Sequence, residues 1–168
     1  MKLKYNKWQV ILHWFSAVII IWALITGFYV ALFDVSQEVK AAIGFFNVSI
    51  TTVLIPFFIL RVIVMLCSRK VEDSNLSNHN HKLAKAMHFS LYVVIAIVLL
   101  SGVLMMDRQI NVFGVLFFPQ LIHSPIALNI WFDLHKYSCI ALSILVLLHI
   151  LAVIKHYVNG HKILKKMV

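Results

Sequence analysis

Nine histidines in 168 residues make imidazole the group most able to do chemistry in this chain. Five of them, His13, His88, His135, His149 and His156, fall in or at the edge of long apolar segments. An ionisable group inside such a segment costs a few kcal/mol and normally has a partner or a ligand. His135 and His149 share one segment, 14 residues apart. On a helix they return to within about 40° of one face and stand about 21 Å apart along the axis. One helix then offers imidazoles at two depths, an arrangement that suits two stacked porphyrins in a four-helix bundle. Zinc wants ligands three to five residues apart, which none of these membrane pairs supplies. A proton relay wants carboxylates within the spans, and the only candidate is Asp133, at the margin of one. The plainer alternative is a set of histidines hydrogen-bonded between helices.

Each iron ligand needs an opposite number at its own depth. His149 lies about nine residues from the end of the last apolar segment, and His13 about five residues into the first. With helix tilts of about 20°, these depths allow the two to bracket one haem iron axially. Two imidazoles on one iron leave no open position, which suits electron transfer rather than oxygen binding. Arg61 approaches the same depth and either pairs a haem propionate or snorkels to the lipid headgroups. His135 lies near the other surface, where its depth-mate should come early in the second segment. That stretch reads Gly44-Phe45-Phe46-Asn47-Val48-Ser49 and contains no histidine. Asn47 stands at the right depth, but an amide is a poor iron ligand. His123, in the loop on that side, either folds back as a substitute or is a solvated loop residue.

The elements that must position these residues are membrane helices. Hydrophobic residues make up 62% of the chain and charged residues 12%, against roughly 45–50% and about 25% in soluble domains. A membrane span takes about 20 apolar residues. Four segments meet that length, at about 8–33, 41–66, 86–106 and 131–157, so an all-α membrane bundle of four helices in a single domain is expected. Gln109 to Phe132 is uncharged too. Its Pro119 and Pro125 and its polar residues argue against a straight helix in lipid. It reads as a loop with an interfacial apolar stretch, Val112 to Phe118. The polar segment Val71 to His81 reads as a loop on the opposite side.

The formal net charge is +9, from 15 Lys and Arg against 6 Asp and Glu. No basic run carries interleaved aromatics, so nucleic acid is not an expected partner. With four spans, Lys2, Lys4 and Lys7, the loop residues Arg69, Lys70, Lys82 and Lys85, and the tail residues Lys162, Lys165 and Lys166 all share one side. The positive-inside bias makes that side cytoplasmic, with both termini on it. Cys67 and Cys139 fall near the ends of different spans and are expected to be free thiols.

Several stretches together resemble the bacterial cytochrome b561 family, small inner-membrane di-haem cytochromes that include superoxide oxidase. They are Tyr5-Asn6-Lys7, Leu12-His13-Trp14, Leu60-Arg61, His88 through Tyr92, Gly102-Val103-Leu104-Met105-Met106, His135, His149 and His156-Tyr157. The resemblance implies haem b as cofactor, with His13 and His149 as iron ligands on the cytoplasmic side and Arg61 and His156 among the cofactor-binding residues. On the periplasmic side it implies His135 opposite a histidine in the second span, and that position falls on Asn47 here. One haem is therefore expected, and the second is set against this departure. The implied function is electron transfer between a periplasmic or membrane donor and ubiquinone or another membrane quinone, with superoxide:ubiquinone oxidoreductase activity in some members. Two alternatives stand beside it: a cytochrome subunit serving a separate dehydrogenase as redox partner, and a non-catalytic membrane partner protein that lost the outer haem.

Overall fold

The computed structural model describes residues 6–68 and 78–158, the side chains of 78–80 excepted. Among the described residues there are four helices: α1 (Lys7–Leu32), α2 (Gln37–Cys67), α3 (Asn78–Leu104) and α4 (Pro125–Val158). Each is long and apolar enough to cross a membrane. Their outer faces agree with that reading. Trp22, Ile25, Leu66, Phe89 and Ile144, among many other large apolar residues, are exposed, a surface compatible with lipid and not with water.

The ends of the helices follow from their capping residues. Asn6 caps α1, accepting from Trp8 N–H, while Gln9 closes a capping box on the Asn6 N–H at 3.0 Å. Ser36 caps α2, so that helix begins at Gln37 and not near Ala41. α3 likewise begins earlier than expected, at Asn78, so the end of the polar Val71–His81 segment is helical. α4 begins at Pro125, six residues before the expected start. The proline stands at the first helical position, where its missing N–H costs nothing and its fixed φ suits the helix. Pro56 lies within α2. Nearby, Thr51 and Thr52 donate back to the carbonyls of Asn47 and Val48 at 2.6 and 2.7 Å, a usual accompaniment of irregular backbone in membrane helices.

α1 packs along α2 and α3 along α4; a narrower α2–α3 seam joins the pairs, and α1 meets α4 at most sparsely. The core sits at mid-bundle: Ile19, Ile20, Leu54, Phe58, Ile95, Leu99 and Leu142. Small polar residues Ser16, Ser49, Ser101 and Ser138 are also buried, as at other membrane helix interfaces where backbones come close.

The apolar stretch between α3 and α4 is a β-hairpin, not a plain interfacial loop. β1 (Ile110–Val112) pairs antiparallel with β2 (Leu116–Phe118). Its tip holds Phe113 at φ 51° and Gly114 at φ 72°. The left-handed conformation is natural for glycine and strained for phenylalanine. The Phe113 ring packs against Phe45 and Phe46, and its N–H donates to Ser49 Oγ at 3.1 Å. Ile110 and Val112 are buried, so the hairpin is wedged against α2. The charges that set the topology expectation fall largely outside the described residues: Lys2, Lys4, Arg69, Lys70 and the tail lysines.

Candidate functional site

Polar side chains mark two levels in the bundle. The proximal level, toward the start of α1 and the end of α4, holds His13, Arg61, His88 and His149, one from each helix. The distal level holds Thr26, Asn47, Ser101 and His135, again one from each helix. Within every helix the two levels are 13 or 14 residues apart, about 20 Å along the axis.

At the proximal level, Arg61 Nη2 donates to His13 Nδ1 at 2.9 Å. Arginine has no acceptor, so this bond places the His13 proton on Nε2. The same guanidinium lies over the Tyr92 ring, 5.0 Å from its centroid. That cation–π contact ties α2 to α3. The rings of His88 and His149 meet edge to face with centroids 5.4 Å apart. Among the described residues, their nitrogens make no hydrogen bond. His13, Arg61 and His149 are partly buried and His88 is more exposed. All four lie within electrostatic range of one another. Three imidazoles, two with uncommitted nitrogens, and one cation for a carboxylate form a donor set that fits a haem and its propionates.

The distal level is built from neutral groups that satisfy one another. The Asn47 Nδ2 donates to Thr26 Oγ1 at 2.9 Å, and the one Thr26 proton is shared between Asn47 Oδ1 at 3.0 Å and the Trp22 carbonyl at 2.8 Å, tying α1 to α2. His135 Nδ1 lies 3.1 Å from both the Val98 carbonyl and Ser101 Oγ, tying α4 to α3. A carbonyl only accepts, so the Nδ1 carries the proton. His135 Nε2 then faces Cys139 Sγ at 3.5 Å, one turn along the same helix. Gly102 packs against the imidazole edge; a Cβ there would stand 3.2 Å from His135 Cε1. This donor set does not match a bis-histidine haem.

Of the residues singled out from sequence, His13, Arg61 and His149 are thus brought to one depth, together with His88. His135 stands apart at the distal level. His156 occupies the last turn of α4 with Lys155, where cations suit the helix dipole. His123 is exposed in the segment before α4. Thr26 and Ser101 escaped the sequence reading, and Tyr92 and Cys139 entered it without the contacts they make here. A polar residue within a span, at the same spacing from a histidine in each helix pair, was the available signal for Thr26 and Ser101. Cys67 and Cys139 are both free thiols. An apolar cleft of about 600 Å³, lined by Trp14, Phe15, Val18, Ile50, Val53 and Phe113, opens between α1, α2 and the hairpin and contains none of these polar groups.

No individually curated protein matches the sequence. A family model described as prokaryotic cytochrome b561 matches residues 4–168, nearly the whole length. The chain therefore belongs to the prokaryotic cytochrome b561 family, membrane b-type cytochromes that transfer electrons.

Proposed function

We propose that this chain is an inner-membrane electron-transfer protein that holds haem b at the proximal level between His13 and His149 and exchanges electrons with a membrane quinone. The observation that carries the reading is the convergence of three imidazoles and one guanidinium, from all four helices, at a single depth. A bound haem b supplies a one-electron iron couple.

The protein's own groups have distinct tasks. His13 and His149 come from the two helix pairs and would hold the haem iron, each through one imidazole nitrogen. To hold iron through Nε2, His13 would carry its proton on Nδ1, and Arg61 would no longer donate there. The guanidinium would be available to a propionate, for which its fork geometry is suited. Tyr92 keeps that cation at the α2–α3 seam. His88, edge-on to His149, limits how the ligand ring turns. Held by two imidazoles, a bound haem would supply electron exchange rather than small-ligand binding.

The positive-inside bias of the sequence supports a cytoplasmic proximal level, with both termini on that side. Superoxide:ubiquinone oxidoreductase activity is the specific reaction the family resemblance favours. The test is a pyridine haemochrome assay with iron and protein quantified on purified chain. Haem b, low-spin in wild type and lost or converted to high-spin in His149→Ala, is the expected result. A chain free of haem, or an unchanged low-spin spectrum in that variant, overturns the reading.

A further inference from the structure

We infer that the distal level is a protein-only clamp, so that this chain carries a single haem where the resemblance implies two. The inference rests on the proposed proximal haem for its count, and on the distal geometry alone for the clamp.

A haem b has no covalent link to protein, so its axial bonds must hold it. Two imidazoles from opposite helix pairs would have to offer free lone pairs at one depth. Asn47 stands where the second imidazole is needed; its Nδ2 donates to Thr26 Oγ1 of α1, and its Oδ1 shares the Thr26 proton with the Trp22 carbonyl. If the amide turns away, its Nδ2 loses the Thr26 acceptor and the Thr26 proton goes to Trp22 alone. His135 has its Nδ1 proton held by Val98 and Ser101 of α3. Its remaining lone pair, on Nε2, faces the Cys139 thiol.

A thiol is a weak donor, and iron would displace it. Displacement alone does not make a haem site. Cys139 lies one turn from His135 on the same helix, so it cannot take the opposite axial position across a porphyrin. Ser49 is also committed: its hydroxyl donates to the Asn111 carbonyl and accepts from Phe113 N–H, both at 3.1 Å. The buried Ile110 and Val112 fix the hairpin beside it. His123 is exposed and lies in the segment that follows this anchored hairpin. The distal polar groups therefore form closed sets within the protein, each joining neighbouring elements.

The experiment uses the purified full-length chain. Haem per protein should be one, with a single one-electron wave in a redox titration. His135→Ala should keep the full low-spin signal. Two haems per chain, or a loss of half the low-spin signal in His135→Ala, overturns the inference. The clamp has its own readout, independent of haem. The infrared S–H stretch of Cys139, isolated as wild type minus Cys139→Ala, should shift when His135 is replaced by alanine in an otherwise wild-type chain. A band that does not move overturns the clamp. A chain without haem would overturn the proposed function, and the S–H band would still decide the clamp.

Discussion

The proximal and distal levels use the same helices at the same spacing, yet they differ in what they leave available. At the proximal level the groups are basic, and His88 and His149 keep nitrogens free of hydrogen bonds among the described residues. At the distal level every named group closes on a neutral partner nearby. The contrast separates two uses of polarity in a membrane bundle. Closed hydrogen bonds between membrane helices contribute modestly to stability, on average about 0.6 kcal/mol each. Open imidazoles beside a cation contribute little until a ligand comes, and so mark where chemistry belongs.

The sharpest way to break this contrast is to remove a proximal ligand. His149→Ala should abolish the low-spin haem signal almost entirely, and optical spectra of the purified protein check it. Arg61→Met comes next. It removes a charge-assisted partner worth about 1.5–3 kcal/mol, so haem should leave for a scavenging apo-globin at least about tenfold faster. Arg61→Lys should recover part of the retention, because a point charge replaces the fork but not its geometry.

The distal changes should be smaller and should spare the haem. Gly114→Ala places a side chain at φ 72°, which costs about 1–2 kcal/mol. Reversible unfolding in mixed micelles should report that loss with an unchanged haem spectrum. Smallest of all is the Thr26–Asn47 pair. A double-mutant cycle of Thr26→Val and Asn47→Leu should give a coupling of about 0.6 kcal/mol, and no more than about 1.7. A haem loss in either distal variant would erase the distinction between the levels.

The spans could be read from sequence because lipid demands long uncharged runs, and the 14-residue spacing of His135 and His149 could be read because the helix period is fixed. The early start of α4 was hidden by Pro125, which breaks a helix in its interior but opens one at its first position. The hairpin was hidden because its strands are three residues each, too short to show alternation. Arg61 was placed at the right depth, but its bond to His13 depends on how α1 and α2 register, which no single segment states. Cys139 beside His135 was open to an i, i+4 reading, and neither residue type alone signals the contact. Asn47 was noticed as a departure. That it is held by Thr26 emerges only when two helices lie side by side.

The matched spacing of the two levels has a consequence for the length of the chain itself. Arg61 and Asn47 of α2 must meet His13 and Thr26 of α1 at once. One residue inserted in α2 between Asn47 and Arg61 would turn one end of the helix by about 100° against the other. Either contact could then form, but not both. The stretch between the levels is in this sense a ruler: its side chains can be exchanged for others of similar volume, while its residue count is closed to insertion and deletion.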